Sequence, residues 1–206
     1  MKKKNFFLAH KQFTFFLILA LLIILGAIFA PVVTGGADPL KGSLTEALEA
    51  PSRAHIFGTD KMGRDIFTRV IYGARASLSA TFGVVALIFL VLKIRDRDYV
   101  SAAIVTGSKT KHMLFSYMLP NALPTLIITA TTDIGGMMLE LAALSFLGFG
   151  TRPPAPEWGY MLNEGRACMQ SAPWMMIFPG LAIFLVVTVF NMLGDSVRDI
   201  LDPKEA

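Results

Sequence analysis

An all-α, polytopic membrane helix bundle of about four spans is the fold this sequence predicts, on three observations. Of 206 residues, 54% are hydrophobic and only 17% are charged, with a mean hydropathy of +0.58, richer in apolar side chains than ordinary globular composition. The apolar residues gather into four long runs. Lysine and arginine collect at the N-terminus and between the second and third runs, as in segments that face the cytoplasm.

The first run, Phe13 to Val33, is 21 residues without a charge; at about 1.5 Å per residue such a helix covers about 30 Å of hydrocarbon. Lys2, Lys3, Lys4 and Lys11 precede it, like the front of a signal peptide. The run is long, however, Ile28 stands where a cleavage site needs a small partner for Ala30, and Pro31 follows, so an uncleaved anchor is expected. The second, Ser77 to Leu92, has 16 residues, about 24 Å as a helix, and is the weakest span. Pro124 to Phe149 and Ile177 to Leu193 complete a single transmembrane domain, 1–206, with spans at 13–33, 77–92, 124–149 and 177–193. Four crossings place both termini on one side. Lys93, Arg95, Arg97, Lys109 and Lys111 outweigh the two acids of residues 93–119, so that side is read as the cytoplasm.

The formal charge of +4 comes from basic residues spread over every polar segment, which argues against a nucleic-acid face. Cys168 has no partner for an internal disulfide, and His10, His55 and His112 lack metal-ligand spacing. Gly107-Ser108-Lys109-Thr110 lacks the glycine directly before the lysine and the one five residues further back that a phosphate loop needs. No cofactor, metal or catalytic residue is expected, and no ATP site of the chain's own.

Ile66, Phe67, Val70 and Ile71 share one helical face with Arg64, Arg69 and Arg75 elsewhere, fitting either a helix along the membrane surface or the first turns of the next span. Asp98 can cap a helix over 99–106, Gly107 can end it in the left-handed conformation, and Ser108 can cap a second helix reaching Leu119. Tyr99, Ala102, Ala103 and Thr106 then share a shallow face. Such an elbow suits a docking partner, and equally a loop packed on its own protein.

Asp133 and Glu140 lie in the third run, seven residues apart and so on nearly one face. Carboxylates there cost about 2.5–3.5 kcal/mol against lipid, so they point to a pathway or to interhelical hydrogen bonds. Gly135, Gly136, Ala142, Ala143 and Ser145 suit close helix packing. Trp158, Tyr160 and Trp174 fit an interfacial belt, in a loop stiffened by Pro153, Pro154 and Pro156. An intramembrane aspartyl protease pairing Asp133 with Asp195 has poor geometry, because the two fall at different depths.

Ser101-Ala102-Ala103, Gly107 and Leu119-Pro120 resemble the EAA motif of ABC importer permeases, with Ser101 where the motif usually has Glu. His55-Ile56-Phe57-Gly58-Thr59-Asp60, Gly63-Arg64-Asp65-Ile66, Leu144-Ser145-Phe146-Leu147-Gly148 and Asn191-Met192-Leu193-Gly194-Asp195 with Leu201-Asp202-Pro203 are similar to the peptide and nickel subgroup. The resemblance implies a multi-pass bacterial inner-membrane permease subunit for peptides or nickel. Its partners would be ABC ATPase subunits, a second permease subunit, an extracytoplasmic substrate-binding protein and the lipid bilayer. Residues 98–120 would form a coupling elbow in which Tyr99, Ala102, Ala103, Gly107 and Pro120 seat in the ATPase. Family permeases resemble six-helix bundles, so two helices are missing near Leu87 to Leu92, and an inactive remnant or a non-transporting membrane partner is the alternative.

Overall fold

The computed structural model describes residues 10–88, 119–151 and 154–201. The described residues are helical apart from turns and two isolated bridges, Gly42 with Arg64 and Thr59 with Asp65. In chain order they form α1 (Lys11–Ile28), α2 (Ala30–Val33), a 3-10 turn at Leu44–Glu46, α3 (Ile66–Ile88), α4 (Leu119–Phe146), α5 (Trp158–Arg166) and α6 (Trp174–Leu201). Of these, α1, α3, α4 and α6 are long and apolar enough to cross a membrane, the only secondary structure besides a closed barrel that satisfies its backbone in hydrocarbon.

The first three helices start or stop for local reasons. α1 closes at Phe29, whose N–H donates to Leu25 O, and Pro31 sits in the first turn of α2, where its missing N–H costs nothing. α3 is capped by Asp65, whose Oδ2 accepts the Thr68 N–H at 2.8 Å and the Thr68 hydroxyl at 2.7 Å. The structure decides between the two readings of residues 65–75: they are the first turns of α3, continuous with the apolar stretch after Ser77, and Ile66, Thr68, Arg69 and Val70 are buried. Burial of that segment lengthens the short second apolar stretch to 23 described helical residues.

α6 is the central helix, packed on α1, α4 and α5. Gly135 of α4 lies directly against the Asn191 side chain of α6, and Gly194 of α6 against Thr132 of α4, so glycine on either helix brings the backbones close. At the α5 end, Phe57 stacks on Phe178 with ring centroids 3.9 Å apart, tying the 34–65 segment to the start of α6.

Candidate functional site

Two features of the bundle carry chemistry: a cluster of buried charges at the α5 end, and one face of α4. The cluster arises because α3 extends well beyond the end of α4. Thr81 of α3 donates to Met138 Sδ of α4 at 3.6 Å, so the fifteen residues of α3 before Thr81 outrun the eight of α4 after Met138, and from Ser77 outward α3 meets α5. Glu157 caps α5, accepting the N–H groups of Gly159 at 2.8 Å and Tyr160 at 3.0 Å. The Ser77 hydroxyl donates to Glu157 Oε1 at 3.4 Å and accepts the Trp158 N–H at 3.3 Å.

Trp158 is 3% exposed, and its indole Nε1 donates to Val70 O of α3 at 2.8 Å. This corrects the interfacial-belt reading: Gly73 leaves the room that the indole occupies, and a Cβ there would stand 3.0 Å from Trp158 Cδ1. Across α5, Gly159 approaches α4 so closely that a Cβ would lie 2.6 Å from Ala142 O and 2.7 Å from Ser145 Cβ. Trp174 is half-buried and donates to Thr59 O at 3.2 Å.

Under α5 lie Asp60, Arg64, Arg69 and Glu164, each between 1% and 8% exposed. Arg64 Nε donates to Asp60 Oδ2 at 2.7 Å and Arg64 Nη2 to Glu164 Oε1 at 3.0 Å. Arg69 Nη2 donates to Glu164 Oε2 at 2.9 Å, with its Nε 3.5 Å from Asp60 Oδ2. Two cations and two anions thus neutralise one another and join the 34–65 segment, α3 and α5. Burying ions is costly, and a pair of this kind fixes geometry more than it adds stability. The expectation that Arg64 and Arg69 lie away from the buried face is corrected here: both are inside, because partners up to 100 residues away in sequence meet them.

On α4, Asp133 is half-buried and engaged, whereas Glu140 is exposed, six residues before the helix ends at Phe146. Among the described residues Glu140 has no hydrogen-bond or ion-pair partner. Gly136, Leu139, Ala143 and Leu144 are exposed beside it, and a Cβ at Gly136 would meet nothing within 4 Å. The small residues therefore divide: Gly135, Ala142 and Ser145 pack against α6 or α5, while Gly136 and Ala143 stay open.

Tyr99, Ala102, Ala103 and Gly107 lie outside the described residues, and Pro120 is the second residue of α4. Among the described residues no three His, Cys, Asp or Glu side chains gather as a metal site would require. Glu164, Ser77 and Glu157 escaped the sequence reading because their partners are remote. The one local signal was Glu157 directly before a short polar helix, as an N-cap.

The family model described as binding-protein-dependent transport system inner membrane component matches residues 6–206. The chain is 36% identical to the dipeptide transport system permease protein DppC of Alkalihalophilus pseudofirmus, over 91% of this chain and 84% of that protein. It is 33% identical to DppC of Haemophilus influenzae, over 92% and 88% of the two chains, and 30% identical to a putative peptide transport system permease protein of Brucella abortus, over 95% and 88%. The first alignment runs over 257 positions, whereas 91% of 206 residues is about 187, so about 70 positions of that relative face gaps in this chain. Two spans of about 20 residues each with their connections fit in that length. With four apolar helices long enough to span a membrane among the described residues, and matched from residue 6 to residue 206, the chain belongs to the binding-protein-dependent transport system inner membrane component family.

Proposed function

We propose that this chain is the transmembrane permease subunit of an ATP-driven importer of peptides, with hydrolysis supplied by a separate ATPase subunit. The observation that carries the reading is the family match over residues 6–206 together with relatives named for dipeptide and peptide transport; those names favour peptides over nickel. Residues 98–120 are the coupling elbow, with Tyr99, Ala102, Ala103, Gly107 and Pro120 against the ATPase. A second permease subunit and an extracytoplasmic binding protein complete the assembly. Both termini are cytoplasmic. Asp133 and Glu140 belong to the pathway side of α4, since a carboxylate facing lipid there would cost about 2.5–3.5 kcal/mol.

The gap of about 70 positions favours a second reading, a membrane partner that binds the ATPase without transporting. On this reading the loss lies near Leu87 to Leu92, where an even number of lost spans preserves the orientation of all that follows. Dipeptide uptake by cells carrying this chain as the sole copy of its subunit, with all partner subunits present, decides between them. Uptake well above that of cells lacking the subunit supports the permease. Background uptake with the chain inserted and the ATPase bound supports the second reading.

A further inference from the structure

We propose that the buried charge cluster under α5 holds one resident water molecule, bound between the Arg69 guanidinium and the carboxylates of Asp60 and Glu164. Two independent observations carry it. Arg69 is 1% exposed; its Nη2 donates to Glu164 Oε2 at 2.9 Å and its Nε lies 3.5 Å from Asp60 Oδ2, whereas Nη1 is buried without an acceptor among the described residues. Beside it is a cavity lined by Asp60, Ile66, Arg69, Met161, Glu164 and Met175, in which the centre of a water molecule can move over about 10 Å³. That is room for one water. A buried donor on a charged group is costly to leave without a partner, and here the donor and the cavity meet at the same residue.

The chemistry of the lining chooses the occupant. Arg64 and Arg69 are balanced by Asp60 and Glu164, so the cluster is already neutral as a whole. A cation would face the Nη1 donor, and an anion would face two carboxylates. Water answers both, since it accepts from Nη1 and donates to a carboxylate oxygen. Acceptors are at hand: each Glu164 oxygen takes one arginine donor, and a carboxylate oxygen can take two. Donor and acceptor groups on three residues meet the two to four bonds that a buried water makes. The remaining walls, Ile66, Met161 and Met175, are 1%, 4% and 3% exposed, so exchange with bulk solvent requires the packing around them to open. The water belongs to the architecture of the α5 end, and the inference is independent of what the chain transports.

Radiolytic footprinting of the full chain in lipid nanodiscs tests it, because hydroxyl radicals formed from a bound water oxidise the side chains that touch it, methionine to its sulfoxide. Met161 and Met175 are expected to oxidise several-fold faster than Met138, which is as deeply buried at 2% exposed and packs on the Thr81 hydroxyl. Ile66→Phe fills the cavity without altering a charge, and is expected to bring both methionines down to the Met138 rate. Oxidation of Met161 and Met175 no faster than that of Met138 in the parent chain overturns the proposal. So does a fast rate that Ile66→Phe leaves unchanged, because the radicals would then come from bulk solvent. A higher melting temperature for Ile66→Phe also overturns it, since filling a dry void stabilises whereas displacing the water strips Nη1 of its acceptor. Should Ile66→Phe fail to fold, a crystallographic map of the parent chain that shows ordered solvent decides. Density within hydrogen-bond distance of both Arg69 Nη1 and a carboxylate oxygen of Asp60 or Glu164 supports the site; Nη1 bonded to a protein acceptor, or no density there, overturns it.

Discussion

Arg69 of α3 donates to Glu164 of α5 at 2.9 Å across 95 residues of sequence, and the other oxygen of the same carboxylate accepts Arg64 at 3.0 Å. One acid therefore holds two buried guanidiniums and fixes α5 over the end of α4. Glu164→Ala leaves both cations short of a partner and is expected to destabilise by about 3–5 kcal/mol. Thermal unfolding in detergent measures it, and an unchanged melting temperature would show that the cluster does not secure α5.

Trp158 contributes in two separable ways. Trp158→Phe removes the donation to Val70 O, an expected loss of about 1 kcal/mol, while Trp158→Ala also empties the space beside Gly73, about 3–5 kcal/mol. Limited proteolysis of residues 147–173 should follow the same order, with the alanine chain cut fastest. Equal rates for both variants would mean that the indole does not anchor the helix.

Glycine is required at Gly63 for two reasons and at Gly148 for one. Both have positive φ, +69° and +95°, but a Cβ at Gly63 would overlap the Ser43 carbonyl whereas one at Gly148 meets nothing within 4 Å. Gly148→Ala should cost about 1–2 kcal/mol of backbone strain, and Gly63→Ala clearly more. Equal melting temperatures would contradict the close approach of the 34–65 segment to itself.

The four apolar helices were legible because length and uninterrupted hydrophobicity are local properties, and the match of family motifs at Gly58, Asp60 and Gly63 pointed to the right proteins. The outer ends of those helices were not. The alternation of Ile66, Phe67 and Val70 with Arg64 and Arg69 has the same pattern whether the arginines face water or a buried carboxylate, and only Glu164, brought in by the fold, decides. Trp158 was misread for a related reason: an aromatic residue near a span end is usually interfacial, and Gly73, which makes room for it inside, lies on α3, 85 residues earlier in the sequence. Asp133 and Glu140 were legible as a pair, but their unequal exposure depends on how α4 packs against α6.

The proposed topology rests on the charges of the connecting segments and on the even number of spans. Periplasmic-type reporters fused after Pro39 and after Thr151 are expected to be active, and cytoplasmic-type reporters at the same points silent. Cytoplasmic activity at either position would invert the orientation and remove residues 93–119 from contact with any ATPase.

The proposed coupling of this chain to an ATP-hydrolysing subunit through residues 98–120 can be read from one crosslink. With Cys168 changed to Ser, Ala103→Cys is co-expressed with the ATPase and oxidised or bridged in intact membranes, beside a control chain carrying Lys4→Cys. A crosslinked pair is expected from position 103 at a yield well above that from position 4, because two neighbouring alanines would let the ATPase backbone come close. Equal yields from the two positions would contradict it.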